Sequence, residues 1–191
     1  MSNYSTQNSL LLKKLMNFYR EDNNLDKIIS IINGESTISL RLIDWFVTNY
    51  SKKHYIMYKL KEYGVEKRFK VWSDYKLELR AYSKKRFDPF CRWDRIIIPY
   101  KDDIHIQTTI GQLNFFKWAL ENKVLDYIKT NFEAINQDML NRNSTSKKKH
   151  STNSKNAKNA KNKTRKKREE LSISATKTIK KEKVEIVLHF K

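Results

Sequence analysis

The sequence predicts an α+β domain, with helices packed on a small antiparallel sheet and a disordered Lys-rich insertion before a C-terminal strand. Three observations carry that expectation. Apolar residues recur at helical spacing in several runs, among them LLLKKLMNFYR (10–20) and SLRLIDWFVTNY (39–50). Short β-rich segments come in pairs separated by turn residues, 54–60 with 68–72 and 95–100 with 104–107. The chain of 191 residues holds only 3 Gly and 2 Pro, few for a fold built on many tight turns.

Each element follows from local pattern. Residues 1–8 are polar and read as a frayed terminus. Ser9 caps a first helix that buries Leu11, Leu12, Leu15, Met16 and Tyr19. Asn24 caps a second, short one carrying Ile28, Ile29, Ile31 and Ile32, stopped by Asn33-Gly34; the isoleucine run also fits a strand. Thr37 or Ser39 opens a third helix, apolar on most sides and therefore central. HYIMYKL (54–60) and RFKVW (68–72) read as a hairpin turning at Tyr63-Gly64. Ser73-Asp74 then looks like a helix start with Tyr75, Leu77, Leu79 and Tyr82 inside, although Tyr75-Leu77-Leu79 also alternates like a strand.

Asp88-Pro89 breaks that element, because a residue before proline avoids the helical region. Arg95–Tyr100 is a strand whose Pro99 argues for an edge or a bulge, and 104–107 returns after a turn at Lys101-Asp102-Asp103. Thr109 caps a helix through Asn122, with Gln112 placed for a capping box and Leu113, Phe116, Trp118 and Leu120 inward. The helical pattern resumes at Leu125 and reaches about Arg142. The globular domain is thus 9–142.

From Asn143 to Arg168 there is no aliphatic side chain larger than alanine and no aromatic. Such a stretch cannot offset its ordering entropy by burial, so disorder is expected over 143–168. The remaining residues, 169–191, end in KVEIVLHFK, which alternates as a strand that returns to the sheet.

Charge narrows the class of partner. The formal net charge is +19; residues 143–191 hold 16 Lys/Arg against 4 Asp/Glu, or +12, which leaves +7 for residues 1–142. A field this positive concentrates polyanions, and a nucleic-acid backbone is the common one. The bland alternative is a solubilising tail. Candidate nucleic-acid contacts are Lys147, Lys148, Lys149, Lys163, Arg165, Lys166, Lys167 and Arg168 in the basic segment, with Arg86, Arg92 and Arg95 as a cationic rim on the domain. The clusters KKKH and KNKTRKKR fit a phosphate-binding arm or a nuclear localisation signal equally well. Between Lys67 and Trp93 cations alternate with Phe69, Trp72, Phe87, Phe90 and Trp93, which suits phosphate contact with base stacking and equally suits aromatics in a core rimmed by cations.

Other chemistries are poorly represented. A single cysteine, Cys91, rules out an internal disulfide and a cysteine-cluster zinc site. The histidines, His54, His105, His150 and His189, lack ligand spacing, and a Cys91–His105 nucleophile pair competes with a simple buried thiol. Asp88, Asp94, Asp102 and Asp103 are closer to turn chemistry than to an Mg2+ nuclease. With Gly34, Gly64 and Gly111 as the only glycines, phosphate-cradling loops are excluded. No catalytic residue, metal or cofactor is assigned. The first residues lack a signal pattern and no run is apolar enough to span a membrane, which predicts a cytosolic or nuclear site.

The stretches ISLRLIDWFVTNYSKK (38–53), FDPFCR (87–92) with TTIGQLNFFKWALENKVLDYI (108–128), and the ending REELSISATK with VLHF resemble an uncharacterised protein family of nucleocytoplasmic large DNA viruses, giant viruses of the mimivirus, marseillevirus and chlorovirus kind. The likeness covers most of 30–142 and the C-terminal strand. It implies a viral origin and a place in a host cytoplasmic factory, the host nucleus or the virion, and it transfers no catalytic residue. Three functions follow as expectations: a non-enzymatic protein that associates with nucleic acid through its basic segment, a structural or assembly protein of the virion or factory, and an Mg2+-dependent nuclease using Asp88 or Asp94.

Overall fold

The computed structural model describes residues 7–62, 64–101, 104–153 and 181–183. Helices α1 (Gln7–Arg20) and α2 (Asn24–Ile32) lead into α3 (Leu40–Trp45), which widens into a π-helical turn (Phe46–Tyr50) and ends as α4 (Ser51–Lys53). The hairpin β1 (Met57–Glu62) and β2 (Val65–Lys70) follows, then α5 (Val71–Arg86), β3 (Arg95–Pro99), β4 (Ile104–Thr109), α6 (Ile110–Glu121), α7 (Val124–Thr130) and α8 (Phe132–Asn153). The short strand β5 (Lys181–Lys183) pairs antiparallel with β4. The class is α+β as expected, but the strands form two separate antiparallel sheets, β1-β2 and β3-β4-β5.

The centre of the fold is α6. Gly111 to Phe116, Trp118 and Ala119 are all buried, so this helix has almost no solvent face. Its first turn is capped as the sequence predicts, with the Thr109 hydroxyl accepting from the Gln112 amide at 3.1 Å. The reciprocal half of the capping box is not made. Instead the fully buried Gln112 side chain accepts from Thr108 Oγ1 (2.9 Å) and donates to the Pro89 carbonyl (2.9 Å). Asn114 Nδ2 donates to the Arg86 carbonyl at 2.9 Å, and the Asp88 amide donates to the Gly111 carbonyl at 3.1 Å. Three polar contacts therefore lay the segment after α5 along the start of α6. Phe87 lies inside this seam, within 6 Å of the rings of Phe115, Trp118 and Tyr75. The phenol of Tyr75 is pushed up to about 12, first by burial and then by the nearby carboxylates of Asp44 and Asp88, so it stays a neutral packing ring. On another side the buried Tyr19 of α1 donates to the Leu113 carbonyl at 2.6 Å.

Several boundaries differ from the sequence expectation. The segment 54–60 is a strand only from Met57: His54 ends α4, and Tyr55 adopts φ +51°. Val71 and Trp72 belong to α5, because the Val71 amide is taken by the Ile56 carbonyl (3.3 Å) just where the ladder ends. Leu77 is exposed, not inward. α5 also breaks at Ser83 (φ +64°), which turns the chain toward α6. α8 continues to Asn153, so the boundary placed at Arg142 falls inside a helix. The remainder of the predicted disordered segment, 154–168, and the predicted strand 184–190 lie outside the described residues.

Gly111 shows how tightly the seam is closed. A Cβ there would stand 2.9 Å from the Lys85 carbonyl oxygen and 3.3 Å from the Phe87 nitrogen, both backbone atoms that cannot swing away. Gly111→Ala is expected to destabilise the domain by about 1–3 kcal/mol through overpacking, despite alanine's better helix propensity. Urea unfolding checks this; an unchanged or raised midpoint contradicts the packing.

Candidate nucleic-acid interface

One surface feature that combines an exposed ring with cations is a cleft of about 430 Å³ where the end of α4, the start of β1 and the start of α5 meet. Its construction is local. The π turn shifts the register of the helix, and Ser51, which is buried, donates its hydroxyl to the Val47 carbonyl at 3.1 Å. The Ile56 amide then donates to the Ser51 carbonyl (3.1 Å) while the Ile56 carbonyl takes the Val71 amide, so Ile56 forms a floor joining both walls. Tyr55, 90% exposed, Met57, 48% exposed, and the half-buried Trp72 line the same cleft. A tyrosine at positive φ carries backbone strain, and here the ring gains no burial in return.

The cations converge on Trp72. Lys52 Nζ lies 5.3 Å and Lys76 Nζ 5.6 Å from its ring centroid, both within cation–π range. Lys70 lines the same cleft. Among the described residues, none of these three lysines has a carboxylate partner within ion-pair distance. Chemically, the cleft offers aromatic faces and two lining lysines, with Lys76 over the Trp72 ring beside them, to a planar anionic ligand.

The walls are held from two sides. The Trp118 indole donates to Asp74 Oδ1 at 2.6 Å, fixing the first turn of α5, and the Tyr58 hydroxyl donates to the Asn122 carbonyl at 2.7 Å, fixing β1 to the end of α6. The helix side is fixed by α8. Asp138 accepts from Lys53 Nζ and from the Trp45 indole (3.1 Å) and lies 4.0 Å from His54 Nε2, while the Arg142 guanidinium covers the Trp45 ring at 5.6 Å. Burial pushes the Asp138 carboxyl up, but the hydrogen bonds from Lys53 and Trp45 outweigh it and hold the group below its ordinary value.

The sequence candidates are distributed elsewhere. Arg92 closes a bidentate pair on the buried Asp88 (Nε–Oδ2 2.7 Å, Nη2–Oδ1 2.6 Å) and lies over the Phe90 ring, and this pairing raises the guanidinium above its already high value. Arg95 donates to Gln107 across the β3-β4 ladder at 3.1 Å. Arg86 ends α5, half-buried, with its carbonyl on Asn114. None of the three lines the cleft. The backbone of Lys147, Lys148 and Lys149 lies in the last part of α8; Lys163, Arg165, Lys166, Lys167 and Arg168 lie outside the described residues.

Of the interleaved aromatics, Phe69, Phe87 and Phe90 are core, and Trp72 alone lines the cleft. Burial pushes the Cys91 thiol up, the reverse of an activated nucleophile, and His105 pairs with Pro99 at the far end of the ladder from Cys91. Asp94 is exposed and paired with Lys85 at 3.3 Å. Among the described residues, no three His, Cys, Asp or Glu side chains are grouped to hold a metal ion, and no helix is long and apolar enough to cross a membrane.

An α+β domain with a lysine-framed aromatic cleft is therefore the class of protein in hand. Across residues 3–189 the chain matches a family of unknown function (DUF7197), and it belongs to that family. It is also 44% identical over 127 residues to Uncharacterized protein L507 of Acanthamoeba polyphaga mimivirus, a match covering 64% of this chain and 49% of that protein. The chain thus spans about half the length of that relative, and the giant-virus resemblance read from the sequence is borne out. No solved structure matches the chain.

Asp138 gives the interface a pH signature. Its depressed folded-state value means that its stabilising contribution is complete above the ordinary carboxylate range and is lost as pH falls through the lowered value. Asp138→Asn is expected to cost about 1 kcal/mol at neutral pH, where Lys53 is largely solvent-screened, and less in strong acid. Thermal unfolding of both proteins from neutral to acidic pH checks this, and two curves that stay parallel to the acid end contradict it.

Proposed function

We propose that this protein is a non-enzymatic viral protein that associates with nucleic acid, through its basic segment and the lysines of the α4/α5 cleft acting together. The observation that carries the reading is the pair Lys52 and Lys76 over the Trp72 ring, with Lys70 lining the same cleft, a cationic site on the folded domain in which no described carboxylate stands within ion-pair distance of these lysines. The basic segment is joined to it through α8. Asp138 anchors that helix to Lys53, and Lys147 follows nine residues later, about 14 Å along the axis at 1.5 Å per residue. One polyanion can then engage both cation clusters, which raises affinity by effective concentration without new contacts. Such a protein works where viral genomes are handled, in the host cytoplasmic factory or nucleus.

Binding of this kind is driven by counterion release and is independent of sequence. Full-length protein is expected to bind mixed-sequence oligonucleotides with an affinity that falls steeply as salt rises, and deletion of 143–168 is expected to flatten that slope and weaken binding at least about tenfold at low salt. Anisotropy titrations across a salt series read both quantities. Unchanged affinity after the deletion contradicts the reading. Self-association without polyanion binding favours the structural or assembly role instead.

A further inference from the structure

We infer that the α4/α5 cleft is a seat for an unpaired base, so that the nucleic acid this protein prefers is single-stranded. The inference rests on the nucleic-acid reading and names its substrate class. Four features of the cleft point the same way. Duplex binding needs only surface cations matched to a phosphate backbone, and a concave site with rings on its walls adds nothing to it. A single strand presents bases whose π-faces need covering, and aromatic side chains beside cations are what cover them. The cleft is lined by Trp72 from α5, by Tyr55, and by Met57 from β1, with the apolar Ile56 between the last two in sequence. Its volume of about 430 Å³ lies in the range of small-molecule sites, roughly 300–1,000 Å³.

The second feature is the occupancy of the Trp72 ring. Lys52 and Lys76 hold their ammonium groups 5.3 Å and 5.6 Å from its centroid. An incoming base exchanges one ammonium for its own π-face, and the displaced lysine becomes available to the phosphate attached to that base. The same side chains thus guard the ring when the cleft is empty and contact the backbone when it is filled. Lys70, on the β2 side, reaches the neighbouring phosphate of the strand.

The third feature is Tyr55. Its backbone is held in the left-handed region, yet its side chain is 90% exposed, so packing in the domain does not explain the residue. Asparagine or glycine suits that backbone better. A ring at an unfavourable φ, lining a cleft that also holds a tryptophan, is explained by a ligand that stacks on it. Fourth, the charge around these rings selects among occupants. An apolar segment of a protein partner would have to leave three ammonium groups near an uncharged surface, whereas phosphates match them.

The test uses the full chain and two probes, an oligothymidylate and a duplex of the same length, with wild type, Tyr55→Asn and Trp72→Leu. Single-strand affinity is expected to exceed duplex affinity at moderate salt. Each substitution is expected to lower single-strand affinity roughly tenfold and duplex affinity much less. Tyr55→Asn is also expected to raise the thermal midpoint, since it relieves the backbone and loses no packing; this variant keeps the test valid even if Trp72→Leu is poorly folded. Equal binding of the two probes by wild type, or equal loss on both in Tyr55→Asn, overturns the base seat and leaves the nucleic-acid reading standing. Failure of both probes to bind overturns both. If Tyr55→Asn keeps single-strand affinity but converts a dimer to a monomer in sedimentation, the occupant is a second copy of the chain and the inference falls.

Discussion

The structure depends on one seam, the contact between the first turns of α6 and the segment from Arg86 to Arg92. Gly111 lets two backbones touch, Gln112 and Asn114 hold the opposing carbonyls, and Asp88 closes the segment on itself by accepting from the Phe90 amide and the Arg92 guanidinium. Each hydrogen bond adds only about 1 kcal/mol net, but each also satisfies a buried polar group that would otherwise cost as much or more. The geometry of the seam is what lets Phe87 and Phe90 enter the core from a loop. Of the cationic rim expected at Arg86, Arg92 and Arg95, the guanidiniums of Arg92 and Arg95 are engaged with Asp88 and Gln107.

The far end of the same helix governs the cleft. Trp118 holds Asp74 at the head of α5, and Asn122 takes the Tyr58 hydroxyl from β1, so both walls hang from α6 although neither belongs to it. The ring stack from Phe46 through Tyr127 to Tyr58 and Phe69 fills the space behind them. Rigidity at the back leaves the rim free to carry strained and exposed groups. Tyr55, at positive φ and exposed, and the exposed Met57 are two such groups, and both line the cleft beside Lys52 and Lys70.

Much of the fold was legible from periodicity. The caps at Ser39 and Thr109, the stop at Asn33-Gly34 and both hairpins are where short-range chemistry puts them. What escaped was long-range. The Gln112 side-chain oxygen, expected to turn back to the Thr109 amide, instead accepts from the Thr108 hydroxyl, while its Nε2 donates to the Pro89 carbonyl 23 residues away. The strand expected from His54 gave way to a left-handed Tyr55, since the chain must reverse between α4 and β1 and the sequence offers no glycine there. Of the cleft, Trp72 is read from the sequence as the end of a strand, and its pairing with Lys76 four residues on follows only once α5 starts at Val71. Lys52 and Tyr55 arrive from a different element, and no local pattern joins them to Trp72.

In the function proposed above, the folded domain, and not only its basic segment, contacts nucleic acid at the α4/α5 cleft. The most direct measurement is a set of backbone and indole NMR shifts recorded while an oligothymidylate is titrated into the full-length protein. Perturbations are expected to concentrate on residues 52–57 and 70–76, with the Trp72 indole moving and those of Trp45 and Trp118, held by Asp138 and Asp74, staying in place. Shifts confined to residues 143–191, with the Trp72 indole unmoved, would contradict it.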